Sequence, residues 1–403
     1  MKTDWEVKTL GNVIQKTENI NPAQSPDKEF DYIDVSSVDN ETFSIVSTSR
    51  LTGKEAPSRA RKLVRTNDII FATVRPTLKR IAIIPDKFNG QVCSTGYFVL
   101  RANEYIDYKL IFYFLQTDGF NAEMQKLQKG ASYPAVTDGE VRGQTISYPK
   151  SLPEQQRIVA ILDEAFAAID KAKENAEKNL QNARELFESY LQSVFANPGE
   201  EWVEKSLGEV CSISSKLIDP RNTEFLNVLH VGGANIESLT GRLIELKTAQ
   251  EEGLISGKFL FDESMVLYSK IRPYLMKVAK PDFCGLCSAD IYPLSPFKDK
   301  MIRDYLFYLL LSHDFTQYAI KGSARAGMPK VNREHLFEYK FYIGSITDQT
   351  SIVAKLDALS AETKKLEAIY QQKLTDLDEL KKAILQKAFQ GELTNTAATA
   401  LAL

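Results

Sequence analysis

The sequence predicts an α+β fold: two similar mixed α/β domains, and two long helices that pair antiparallel as a coiled coil to give a pseudo-two-fold molecule. Three observations lead there. At 403 residues the chain is too long for one ordinary core. Its two halves repeat one another. Each half ends in about 40 residues with one apolar seam, a helix of roughly 60 Å that cannot stay unpartnered in water.

The repeat is read directly from the letters. "WEVKTLGNV" at 5–13 returns as "WVEKSLGEV" at 202–210, and "DIIFATVRPTLKRIAII" at 68–84 as "SMVLYSKIRPYLMKVAK" at 264–280. "LIFYFLQTDGF" at 110–120 returns as "LFYLLLSHDF" at 306–315, and "GASYPAV" at 130–136 is echoed by "RAGMPKV" at 325–331. "LPEQQRIVAILDEAF" at 152–166 returns as "ITDQTSIVAKLDALS" at 346–360. Arg75-Pro76 therefore lies over Arg272-Pro273, and Gln155 over Gln349.

Residues 1–150 and 201–346 form the domains. Short β-branched and aromatic runs alternate there with turn signals such as "NPAQSPD", "DKFNG" and "DPRN". Helical spacing predicts one helix in each, over 107–128 and 301–320. Their aromatic stretches, "IFYFL" and "LFYLLL", sit at core spacing rather than as base-stacking platforms.

Residues 151–200 and 347–391 hold the long helices. The first seam runs through Ile158, Leu162, Ile169, Leu180, Phe187 and Val194, the second through Ile352, Leu356, Leu366, Leu377 and Ile384. "NPG" at 197–199 and Gly391 stop them, and 392–403 reads as a frayed tail.

Composition narrows the function. Net charge is −3, against indiscriminate nucleic-acid binding. The acid surplus is local: residues 151–200 carry 5 Lys+Arg against 9 Asp+Glu, whereas 1–150 carry 20 against 18 and 201–346 carry 18 against 18. Any DNA contact must come from basic clusters in the domains. No run of eighteen apolar residues and no apolar signal core is present, so a cytoplasmic protein is expected. The four cysteines, Cys93, Cys211, Cys284 and Cys287, lack a second CxxC, and the three histidines lack ligand spacing, so no metal is expected and the thiols read as reduced and buried.

No catalytic motif is found. There is no Asn/Asp-Pro-Pro-aromatic segment of an adenine methyltransferase. "GLISGK" at 253–258 is one residue short of a phosphate loop, and no Gly-x-Ser-x-Gly occurs. Three basic stretches are DNA candidates. "SRARKLVR" offers Arg59, Arg61, Lys62 and Arg65, able to pair with guanine or neutralise phosphate. "RPTLKR" and its counterpart "RPYLMK" offer Arg75, Lys79 and Arg80, and Arg272, Tyr274 and Lys277. Because the Arg-Pro is shared, it serves either DNA or the fold. The third pair, "KGASYPAV" against "KGSARAGMPKVNR", offers Tyr133, and Arg325, Lys330, Asn332 and Arg333, on small-residue loops that let backbone approach a groove.

The "W…LGxV" starts, "LPEQQRIVAILDEAFAAID" with its long helix, and the helix ends "YLQSVFANPGEEW" and "ILQKAFQGELT" resemble the specificity subunit of type I restriction–modification systems, over essentially the whole chain. The second copy departs from the motif in lacking its proline and arginine. The resemblance implies a non-catalytic, sequence-specific DNA-binding subunit whose two target-recognition domains each read one half of a split, asymmetric target. It implies two modification (methyltransferase) subunits docked on the helices, joined by restriction (translocase/nuclease) subunits. It also implies that S-adenosylmethionine, ATP and Mg belong to those partners, with no cofactor in this chain. A non-catalytic coiled-coil scaffold whose paired domains bind protein or peptide is the competing reading.

Overall fold

The structure is a computed structural model that describes residues 4–214, 216–323 and 329–393. The chain forms two compact units, Met1–Ala176 with Gln372–Leu403, and Glu177–Gln371. Each contains one α/β domain together with part of each long helix, and the first unit is built from two separate stretches of chain.

In the first unit, Ile14–Gln15, Tyr97–Ala102, Ile69–Ala72 and Ile81–Ile83 form one four-stranded sheet, in that order. Strand Ile69–Ala72 is buried on both faces, which explains its unbroken apolar run. Ile69 and Phe71 enter the cluster that holds the helices. Ile70 and Ala72 enter a second cluster with Ile33, Cys93, Tyr97 and Val99. The other four-stranded sheet orders Ser49–Thr52, Glu29–Ile33, Val92–Ser94 and Ala60–Leu63, with one parallel pair at Val92–Tyr32 and Cys93–Ile33. Trp5–Thr9 pairs with Thr145–Pro149 and brings the domain's two ends together.

The second unit repeats the plan. Cys211–Ile213, Ile291–Pro296, Val266–Ser269 and Val278–Ala279 form the matching sheet. A five-stranded sheet repeats the parallel pair at His230–Leu286 and Val231–Cys287. Cys93 and Cys287 thus occupy equivalent buried strands. Cys284 departs from the expectation of buried thiols, because it lies in the turn before its strand and is exposed.

The single helices expected at 107–128 and 301–320 are each two: α1 (Tyr108–Phe114) and α2 (Asp118–Leu127), and later α4 (Arg303–Leu310) and α5 (His313–Ser323). The break is a capping residue inside the apolar pattern. Thr117 Oγ1 accepts from the Phe120 amide at 3.3 Å, and Ser312 Oγ from the Phe315 amide at 3.3 Å. Apolar spacing continues across both caps, so periodicity alone conceals them.

The long helices are α3 (Leu152–Ala196) and α6 (Ile346–Gln390), 45 residues each. Pro153 is tolerated in the first turn of α3, where an amide would have no partner. Without a proline, α6 starts on a reciprocal cap: Ser345 Oγ accepts from the Asp348 amide at 3.2 Å, and Asp348 accepts from the Ser345 amide at 3.0 Å. Within the first unit the helices pair antiparallel. Asp170 meets Lys381 at 3.3 Å and Lys173 meets Asp378, three residues forward on one and three back on the other. Ile158, Leu162, Ile169, Leu385 and Ala388 are buried there with the domain core, and Leu377 and Ile384 pack against it. In the second unit Arg184 meets Glu367 at 3.0 Å. Leu191 and Leu356 are buried in that unit's core, with Phe187 and Ile352 against it. Leu180 and Val194 are half-buried. Leu366 lies outside the seam, 37% exposed; Thr363, with its hydroxyl bonded to the Leu359 carbonyl at 3.0 Å, takes the buried place instead.

The repeated phrase has a structural meaning. Gln155 is fully buried. Its amide donates to the carbonyls of Tyr105 and Pro149 at 2.9 and 2.8 Å, and Oε1 accepts from the Asp107 amide at 2.8 Å. Gln349 does the same with Lys300, Gly344 and Ile302 at 2.9, 3.1 and 3.0 Å. One side chain ties each domain to the helix that leaves it.

Candidate nucleic-acid interface

In the first unit, strand Ile69–Ala72 ends at Thr73, whose amide and hydroxyl both donate to the Gly96 carbonyl, at 2.8 and 3.0 Å. The chain then turns through Arg75 and Pro76. A second segment folds onto this turn: Lys129 and Ala135 exchange amide bonds at 2.9 Å, and Gly130, at φ 103°, makes the bend. Pro134 accepts from the Arg75 amide at 2.7 Å, and Thr73 accepts from the Val136 amide at 3.0 Å. Two of the three candidate stretches are therefore one structure. Arg59 joins it, since its carbonyl accepts from Thr95, next to Gly96, at 2.8 Å.

The second unit builds the same junction. Pro329 accepts from the Arg272 amide and Lys270 from the Val331 amide, both at 2.9 Å. Arg325 lies outside the described residues. Lys270 is itself nearly buried, and burial first, then neighbouring Lys330, hold its ammonium below the usual lysine value. Cations thus crowd this end of the domain, with Asp290 3.6 Å from Lys270.

The individual side chains divide into two groups. Several are occupied by the fold. Arg61 donates to the Ala60 carbonyl at 2.9 Å, Lys62 pairs with Asp138 at 2.9 Å, and Arg65 with Glu18 at 2.6 Å. Arg65 also lies beyond the far end of strand Ala60–Leu63 from Arg59. Lys79 binds the Gln116 carbonyl and Asp118, both at 3.2 Å. Arg80 donates to the Val35 and Val38 carbonyls at 2.8 and 3.2 Å, and its counterpart Lys277 to the Gly233 carbonyl at 2.5 Å. Asn332 caps a short helix by accepting from the His335 amide at 2.7 Å. The second group faces solvent. It comprises Arg59, Arg75, Arg272, Lys330 and Arg333, with Tyr133 71% and Tyr274 53% exposed. Lys129 was not singled out from the sequence, although the "KG" before the bend marked it; it sits at the base of the same hairpin, 84% exposed beside Glu140.

Among the described residues no group of His, Cys, Asp or Glu is arranged to hold a metal, and no helix is long and apolar enough to cross a membrane. A cleft of about 1280 Å³ in the second unit is lined by Phe187, Leu191, Met276, Phe307 and Tyr308. Its charges neutralise one another, Arg184 on Glu367 and Arg242 on Glu237 at 3.0 and 2.8 Å.

The family described as type I restriction modification DNA specificity domain matches residues 2–179 and again 199–376. The chain belongs to that family. It carries two copies of the specificity domain, in agreement with the duplication read from the sequence. It is 30% identical over 303 residues to the type I restriction enzyme EcoDI specificity subunit of Escherichia coli, covering 66% of each chain. It thus spans a little under two thirds of that relative's length. The StySPI specificity subunit of Salmonella potsdam is 24% identical over 332 residues, 75% of this chain and 69% of its own. Among solved structures, a chain from work on complex assembly and conformational transition of the type I R-M system matches with TM-score 0.84 and 28% identity over 98% of this chain and 99% of that one. The HsdS subunit of Thermoanaerobacter tengcongensis matches with TM-score 0.68 and 29% identity over 98% of each. In this chain the Arg-Pro turn and the segment joined to it present exposed cations in both units.

Proposed function

We propose that this chain is the DNA-specificity subunit of a type I restriction–modification complex, reading a bipartite, asymmetric target with one half assigned to each domain. The observation that carries the reading is the junction built twice: each domain joins its Arg-Pro turn to a loop whose residues differ between the copies, with Tyr133 exposed in one and, two places further along, Lys330 exposed in the other. Equivalent frames with different exposed side chains suit two unlike half-sites. The chain supplies specificity, while modification subunits supply S-adenosylmethionine chemistry and much of the phosphate affinity, and restriction subunits bring ATP and Mg. The assembly works in the cytoplasm.

The helices are the docking surface for the modification subunits. Leu186, Leu366 and Ile369 in the second unit and Leu380 in the first are 52, 37, 50 and 47% exposed. Such apolar side chains on otherwise charged helices fit a protein partner. The deciding experiment exchanges residues 1–150 for the equivalent domain of another specificity subunit and sequences the methylated sites of the host genome. One half of the recognised sequence changes. A change in both halves, or in neither, refutes the assignment of one reader per half.

A further inference from the structure

Each Arg-Pro turn begins and ends in the left-handed region without using glycine. Arg75 has φ 50° and ψ 57°, and Lys79 φ 51° and ψ 40°. Arg272 has φ 51° and ψ 65°, and Met276 φ 47° and ψ 49°. For a residue with a Cβ this backbone is unfavourable, and glycine relieves it. Both copies nevertheless place arginine first.

The cations of these turns are used differently, and Lys79 of the first turn binds the Gln116 carbonyl and Asp118. The last one, Arg80 or Lys277, donates to backbone carbonyls inside its own domain. The first one does not. The Arg272 side chain makes no hydrogen bond or ion pair among the described residues. Arg75 has one long contact, 3.5 Å to the Ser132 carbonyl, and lies over the exposed Tyr133 ring with 5.2 Å to its centroid. The short bonds that the fold makes to each arginine are to its main chain, those with Pro134 and Pro329 among them. A strained position that keeps its side chain, yet gives the fold at most one long hydrogen bond from it, keeps it for something outside the domain.

Two domains reading unlike half-sites cannot both use the same residue for a base that differs. What the half-sites share is the sugar–phosphate backbone. We infer that Arg75 and Arg272 are a matched pair of phosphate clamps, one in each domain, which set each reader's register on the duplex while the neighbouring loops discriminate bases. The arginine fork can bridge two phosphate oxygens, and both arginines are exposed to solvent. This inference rests on the DNA-reading function proposed above.

The test uses the full chain assembled with its modification subunits, and duplexes with and without the motif methylated in the host genome. Arg75→Gly and Arg272→Gly each weaken binding to both duplexes by the same factor, roughly tenfold for one charge-assisted contact. Each lowers the slope of log affinity against log salt by about 1. The melting temperature stays level or rises, because glycine relieves the backbone, and the methylated sequence is unchanged. Arg75→Lys keeps most of the affinity. Loss confined to the cognate duplex, or an altered half-site, makes the arginine a base reader and overturns the clamp. A fall in melting temperature makes it a fold residue and overturns the clamp equally. Variants that bind like the wild type while the wild type stays sequence-specific sink the clamp alone. A wild-type complex with no sequence preference sinks the DNA-reading function instead.

Discussion

Tyr113 donates its hydroxyl to Asp163 at 2.5 Å, joining α1 to α3, and Lys109 reaches the same carboxylate at 2.6 Å. Tyr308 and Asp357 repeat the bond at 2.6 Å between α4 and α6. Burial, reinforced by the carboxylates, raises both tyrosine hydroxyls' pKa, so they stay protonated donors. These aspartates stand near the end of the repeated phrase, as Gln155 and Gln349 stand near its beginning. The phrase is written twice because each domain is fastened to its helix at two points.

Removing the fastenings has graded costs. Gln155→Leu leaves two carbonyls and one amide unpaired in a buried place, so it destabilises by roughly 3 kcal/mol or more, at about 1–3 for each unmade bond. Asp163→Ala, at a half-exposed site, costs about 1 kcal/mol. Urea unfolding of the two variants gives that order; equal midpoints contradict it.

The thiols separate by burial. Desolvation pushes Cys93, Cys211 and Cys287 up to about 12, whereas Cys284 is exposed. A thiol-specific reagent at neutral pH titrates one cysteine in the native chain and all four in denaturant. Two or more fast native thiols would contradict the buried strands.

His230 makes one domain sensitive to acid. It is buried, with Nδ1 2.8 Å from Glu252 and Nε2 without a partner among the described residues. Burial lowers its pKa from the ordinary 6.5, and Glu252 opposes this only in part. Above 6.5 both folded and unfolded chains hold it neutral, and its stability contribution is complete. Below that value the unfolded chain takes the proton more readily, so stability falls with pH. The urea midpoint therefore drops between about pH 7 and pH 5, and His230→Gln has a shallower pH slope. Identical slopes would place the sensitivity elsewhere.

Surface changes on the helices separate docking from folding. Leu186→Glu and Ile369→Glu leave the melting temperature within a degree or two, since an exposed substitution moves stability by about 0.5 kcal/mol or less. They reduce co-purification of the modification subunit. Undiminished assembly with both changes together puts the partner on another face.

The letters showed the duplication, the two long helices and where they stop, because apolar period and repeated phrases survive in a single sequence. They concealed the caps at Thr117 and Ser312, which break helices without disturbing the apolar spacing. Basic density also overstated the interface. Lys62, Arg80 and Lys277 look like Arg75 as letters, yet their charges are taken up by Asp138 and by backbone carbonyls brought from distant stretches of chain. Only the three-dimensional pairing separates a cation the domain uses from one it leaves to solvent.

The first unit closes its core with residues from the far end of the chain. Leu385 and Ala388 are buried with Ile69 and Leu110, and the Phe389 ring stands 5.7 Å from that of Phe114. On the ribosome, at about 5–20 residues per second, the opening domain waits through the whole synthesis of its sibling before those side chains emerge. The domain made before its sibling is completed after it, and a nascent chain cut short after the second domain leaves the first with an open apolar flank for chaperones to shield.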